Sequence, residues 1–209
     1  RIMNLLLYLF LSFINFDMNS QEKNYFYEIK KFDENYSNKA IVSRFVHSVG
    51  FRYYWATEGL RNEDLKYKPS DSGINTRETL EHIYGLSIMI HNGFHNKEIE
   101  RSRSYPDLSY DELRQGTLDF LENTVILLEN YSGDDFDNSK VIFGKQKYDI
   151  YNLFHGPISD ALYHIGQVVS YRRSSGNPIP KGVNHFMGIY MGKPREWFRR
   201  VKYLKSYVF

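Results

Sequence analysis

The sequence predicts an all-α protein, an up-down four-helix bundle with a small hairpin in the connection before the last helix and a basic C-terminal extension. Three observations carry this. Four segments repeat apolar residues at three- and four-residue spacing over helical lengths. Two of them open on a polar cap with Glu three residues later. One stretch, before the fourth segment, reads instead as a strand pair about a glycine turn.

Arg1 is the only charge before a twelve-residue apolar run, Leu5 to Phe16, followed by Asp17-Met18-Asn19-Ser20-Gln21. Charged start, apolar length and polar end match a secretory signal. The run falls short of the about 20 residues a membrane span needs. Residues 1–21 are therefore expected to direct export, leaving a periplasmic or secreted chain that starts near Gln21 and has no membrane span. Residues 22–37 are a polar and aromatic lead-in without helical period.

The bundle is expected over residues 38–176. In the first helix Val42, Phe45, Val46, Val49, Tyr53, Ala56 and Leu60 share one face, and the turn formers Lys68 to Gly73 prevent its continuation. Asn75 caps the second helix with Glu78 in the reciprocal position, and Leu80, Ile83, Tyr84, Ser87 and Ile90 form its buried face. Ser109 and Glu112 repeat the device for the third, whose apolar face runs from Leu113 through Phe120, Leu121 and Val125 to Leu128. Val141-Ile142-Phe143, Gly144-Lys145 and Gln146-Lys147-Tyr148 make the hairpin. The fourth helix carries Leu153, Ile158, Ala161, Leu162, Ile165 and Val168, and ends at Ser175 with Gly176 as cap and Pro178 beyond. Pro157 lies inside this pattern, so the helix either kinks there or begins there.

Composition excludes several chemistries. The chain has no cysteine, so disulfides, thiolate metal sites, lipidated Cys and a Cys nucleophile are all ruled out. There is no GxSxG elbow, glycine-rich phosphate loop or HExxH. The net charge of +2 gives no reason to expect nucleic acid, but it hides an asymmetry. After Ser170 come nine Lys or Arg against the single acid Glu196, with Trp197, Phe198 and Tyr203 among them. Residues 177–209 thus form a basic aromatic extension. It either packs on its own domain or touches phosphate, an anionic membrane or an acidic partner.

The remaining candidates are the histidines and their neighbouring carboxylates. Asp160 and His164 are four apart, about 40° around the helix and one turn along, so both can reach one point. Set among Ile158, Ala161, Leu162 and Ile165, they lie at the margin of a core, where an unpaired carboxylate is costly. A metal ion satisfies both groups; so does an Asp–His hydrogen bond. His91 and His95 form a rival pair about 180° to 220° around the second helix from His82, at what reads as a fraying, surface-exposed end. His47 reads as a packed helix histidine, and His155 and His185 receive no role.

Glu81-His82-Ile83 in the second helix and Asp160-Ala161-Leu162-Tyr163-His164-Ile165-Gly166-Gln167 in the fourth resemble the DinB-like family of four-helix-bundle metalloproteins. The resemblance spans residues 40–176. It implies one divalent ion held by His82, Asp160 and His164. The family usually has His where Asp160 stands, and a carboxylate there moves preference towards Fe or Mn, with Zn and Ni still within range. The resemblance further implies a metal-dependent hydrolase or transferase acting on a small molecule, through activated water, thiol or carbonyl, and a homodimer. The alternative is a non-catalytic bundle whose metal site is degenerate or only stabilising. No residue is identified as a catalytic base; Tyr163, Gln167, Arg172 and Arg173 are near, and each reads as structural.

Overall fold

Helix α1, Asn38–Thr57, begins where the Ser37 hydroxyl accepts from the Ala40 N–H at 3.3 Å. The computed structural model describes residues 24–31, 36–100, 105–132, 136 and 138–192. The expected export segment, residues 1–21, and Trp197, Phe198 and Tyr203 lie outside these. Val42, Val46, Val49, Tyr53 and Ala56 of α1 are buried as their spacing predicts. Phe45 is not: it stands about 60° off that stripe and is 38% exposed.

The opposite side of α1 is buried as well, at Ser43, His47, Gly50, Phe51 and Trp55. A helix buried on two sides needs cover on both, and for the second side it comes from both flanks of the chain. Phe26 of the lead-in is fully buried against Gly50, where a Cβ would fall 2.3 Å from its ring. Tyr190 stacks on Trp55 at 4.7 Å, and the Trp55 indole donates to Tyr27 O at 3.1 Å. Tyr190 belongs to a small antiparallel pair in the extension, β3 Val183–Asn184 with β4 Ile189–Tyr190. The lead-in and the start of the extension therefore pack on the bundle.

A short helix, α2 Asn62–Lys66, follows α1. Helices α3, Thr76–Phe94, and α4, Tyr110–Asn130, open on the expected capping boxes, Asn75 with Glu78 and Ser109 with Glu112. Each box satisfies N–H groups that have no partner within the helix. The hairpin is also present, β1 Lys140–Phe143 against β2 Gln146–Asp149, turning at Gly144 with φ +58°. One helical turn, Tyr151–Leu153, and a wide π turn, Phe154–Ile158, then lead into α5, Ser159–Ser174. Pro157 thus sits in a kink, with Gly156 at ψ −114°. Proline lacks the N–H that would continue the ladder and disfavours helical backbone before it. The Ser159 hydroxyl donates to Phe154 O at 2.5 Å, satisfying a carbonyl loosened by the break. At the other end Gly176, φ +83°, completes a Schellman cap: its N–H donates to Arg173 O and that of Asn177 to Arg172 O.

The four long helices bury one core, including Leu80, Ile83, Ile90, Leu121, Val125, Leu153, Ile158 and Val168. Their directions run up, down, down, up. Thr57 of α1 meets Tyr110 and Arg114 at the start of α4, and Lys39 meets Glu129 at its end, so α1 and α4 are antiparallel. Arg77 meets Leu108, Tyr84 meets Phe120 and Phe94 meets Tyr131, so α3 and α4 are parallel. The bundle is the one expected, but strict alternation fails at this step. The start of α4 therefore lies beside the start of α3 and not beside its end.

Two buried polar nodes fix the end where α1 finishes. Arg172 of α5, fully buried, donates to the carbonyls of Trp55, Ala56 and Glu58 at 3.1, 2.9 and 3.2 Å. It caps α1 rather than its own helix. Asp64 of α2, also fully buried, accepts from Arg61, from the Ser175 hydroxyl at 2.5 Å and from the Asn177 amide at 2.6 Å. Burial would raise its pKa, but these donors outweigh burial and hold the carboxyl well below the usual carboxylate range.

Candidate metal centre

Helices α3 and α5 pack side by side in opposite directions, which brings the second turn of one against the first turns of the other. His82 projects from α3, and Asp160 and His164 from α5. Asp160 Oδ2 lies 3.2 Å from His82 Nε2, and Oδ1 lies 3.2 Å from His164 Nε2. The two imidazoles stand nearly perpendicular, 84° apart with centroids at 4.5 Å. All three donor atoms lie within 4.8 Å of one another, and this is the single such group among the described residues.

The three residues could hold a divalent ion between them. Bonds of about 2.1 Å place neighbouring ligand atoms about 3.0 to 3.4 Å apart in octahedral or tetrahedral geometry. The two Asp–His separations, each 3.2 Å but from different oxygens of the carboxylate, fall in that interval. His82 and Asp160 are 44% exposed and His164 14%, so one ligand is seated in the bundle wall and two face solvent.

Gln167, one turn beyond His164, supplies the next layer. Its Oε1 stands 2.7 Å from His164 Nδ1. With Nδ1–H donated to that amide oxygen, the neutral ring turns the bare lone pair of Nε2 towards the Asp160 carboxylate. Two electron-rich atoms then face each other at 3.2 Å. A proton or a metal ion between them satisfies both. Holding a histidine by its other nitrogen is the usual way a protein fixes a metal ligand. The i, i+3 spacing of His164 and Gln167 is visible in the sequence, but which nitrogen it occupies is not.

The wall around His82 is also held. Arg77 pairs with Glu81 at 2.9 Å and donates to Tyr105 O, while the Tyr105 N–H donates to Glu81 at 3.2 Å. The first turns of α3 are thereby tied to the segment before α4.

The other candidates lie elsewhere. His91 packs against Phe120 of α4, with ring centroids 5.2 Å apart, and against the tilted ring of His95 at 3.9 Å. The pair is half-buried rather than at the surface, and His95 Nδ1–H donates to His91 O at 2.7 Å. Burial, followed by the charges of His95 and Lys97, lowers the His91 pKa to about 4. His47 is fully buried between Tyr25 and Phe26, and burial with Lys30 nearby lowers its pKa to about 4. His155 and His185 are exposed and apart from the site. Tyr163 is 66% exposed beside His164, Arg173 is exposed, and Arg172 caps α1.

No family model and no curated protein matches the sequence. Solved structures do match it. A DinB-like protein, YjoA, from Bacillus subtilis superimposes with a TM-score of 0.51 at 18% identity, over 67% of this chain and 95% of that one. A DinB family member from Shewanella denitrificans gives a TM-score of 0.46 at 14% identity, over 75% of this chain and 93% of that one. With its four long helices and their arrangement already described, the chain has the fold of the DinB-like proteins.

Proposed function

We propose that His82, Asp160 and His164 bind one divalent metal ion, Fe, Mn, Zn or Ni, and that the protein is a metal-dependent hydrolase or transferase acting on a small molecule. The observation that carries this is the convergence of three donor atoms within 4.8 Å from two helices, with His164 steered by Gln167. Two imidazoles and one carboxylate leave coordination positions free. An ion held there supplies Lewis acidity and lowers the pKa of a bound water or thiol. The chain's own residues divide the remaining work. His164, the least exposed of the three, fixes the depth of the site, and Gln167 selects its ligating nitrogen. Asp160 joins the two helices and offsets part of the ionic charge. The solvent-facing side, at His82 and Asp160, is where a small substrate enters.

Export of the chain with a start near residue 21, and assembly as a homodimer, complete the proposal. A second reading is a non-catalytic bundle. It is favoured by the way Asp160 already bridges both histidines, one oxygen to each, which ties α3 to α5 without further chemistry. Metal analysis of protein purified without added ions, followed by thiol-transfer and ester-hydrolysis assays, separates the two. Stoichiometric metal with turnover supports the enzyme. Substoichiometric metal and no thermal shift with Mn, Fe, Zn or Ni overturns it.

A further inference from the structure

Residues 24–31 of the lead-in cross the second side of α1 as a strap held by few contacts. Among them only Phe26 is fully buried, its ring against Gly50. The Tyr27 carbonyl accepts from the Trp55 indole at 3.1 Å, and the two rings lie 5.0 Å apart. The Ile29 N–H donates to Gly188 O at 2.7 Å, which ties the strap to the C-terminal hairpin. The other side of α1, with Val42, Val46, Val49, Tyr53 and Ala56, is packed independently in the core of the bundle. A segment attached in this way can open while the helices stay together.

Beneath the strap lies a titratable group. His47 is fully buried, and Tyr25 and Phe26, both of the strap, pack their rings on it with centroids 5.1 Å away. Lifting the strap removes both rings and lets water reach the imidazole. The charges around His47 come from three elements. From the strap, Lys30 acts on it directly and holds its amine 3.8 Å from the Tyr25 ring centroid. From α4, Glu122 and Glu129 act on Tyr25, and Glu122 also attracts Lys30. On α1 itself Arg44, one turn before His47, lies over the Tyr36 ring. A proton on His47 would thus meet the like charge of Lys30 in a buried site, where an imidazolium is costly. Acid also weakens the hold of α4 on the strap. Burial, and then Asp119, raise the Glu122 pKa, so this carboxylate neutralises early as the pH falls and releases Lys30.

We propose that residues 24–31 form an acid-released strap: protonation of His47 lifts them from α1 while the four long helices stay packed, uncovering His47, Gly50 and the Tyr27 side of Trp55. The sign follows from the two states. Closed, the strap opposes the proton; open, it leaves the imidazole at its ordinary 6.5, so opening gains as the pH drops below that value.

Hydrogen–deuterium exchange of the full chain at about pH 7 and about pH 4.5, corrected for the intrinsic rate at each, reads this peptide by peptide. A peptide containing the Ile29 N–H should lose protection by more than about tenfold at the lower pH. Peptides from α3 and α4 should keep theirs. His47→Phe, which retains a ring and cannot titrate, should protect the strap equally at both pH values, and His47→Leu serves where Phe does not fit. Strap protection that persists in the acid wild type overturns the proposal. So does protection that falls only together with that of α3 and α4, or that falls as far in the non-titrating variant.

Discussion

Asp160 Oδ2 stands 3.2 Å from His82 Nε2, a contact between α5 and α3 across 78 residues of sequence. If this carboxylate is a ligand, its charge matters more than its shape. Asp160→Asn should therefore lower metal affinity by more than about tenfold, about 1.4 kcal/mol or more, with the fold intact. Asp160→His should keep a metal and move preference from Mn or Fe towards Zn or Ni. Calorimetric titration with each ion reads both. Unchanged affinity in Asp160→Asn would mean that the carboxylate only ties the helices.

Gln167→Leu removes the acceptor at 2.7 Å that fixes the His164 ring. A metal affinity about 10 to 100 times weaker is expected, at nearly unchanged thermal stability of the metal-free protein. Gln167→Glu, which retains an acceptor, should restore most of the affinity. Equal binding by wild type and Gln167→Leu would remove Gln167 from the site.

Arg172 acts on stability alone. Arg172→Leu leaves the carbonyls of Trp55, Ala56 and Glu58 without their donor and should cost about 3 kcal/mol or more, a fall of roughly 10 °C in Tm. The folded fraction should still bind one metal per chain. Loss of metal from folded protein would place Arg172 in the site after all.

Acid should weaken the fold through His47. Its pKa is about 4 in the folded chain because burial, and then Lys30, oppose the charged form; in the unfolded chain it returns to its ordinary 6.5. The unfolded state thus binds a proton more readily between these values. Stability is full above pH about 6.5 and falls as the pH drops towards about 4, on the order of 3 kcal/mol for this group. His91 adds to the decline in the same window. Denaturant unfolding of His47→Leu should show a flatter pH dependence there, with the His91 share left. An identical slope would refute the assignment.

Much of the fold was legible because its signals are local. The Asn75 and Ser109 boxes, the Gly144 turn and the Gly176 cap each depend on residues a few positions apart, and each is found as expected. What was not legible depends on distant partners. The exposure of Phe45 and the burial of the second side of α1 could not be read from one stripe, since Phe26 and Tyr190 supply that side's cover. Asp64 finds Ser175 from 111 residues away. The parallel course of α3 and α4 shows only in contacts between them, such as Tyr84 with Phe120, that no periodicity records. For the candidate site, the spacing of Asp160 and His164 placed two groups on one face. Only packing of α3 against α5 brings His82 to them, and only atomic geometry identifies Gln167 as the group holding His164.

Binding of one metal by His82, Asp160 and His164 is read by calorimetric titration of wild type, His82→Ala, His164→Ala and the His91→Ala/His95→Ala double variant. One equivalent per chain should bind to the wild type and to the double variant, and none to His82→Ala or His164→Ala. Retention of the metal by His82→Ala and His164→Ala, with its loss from the double variant, would assign the metal instead to the half-buried pair at the end of α3.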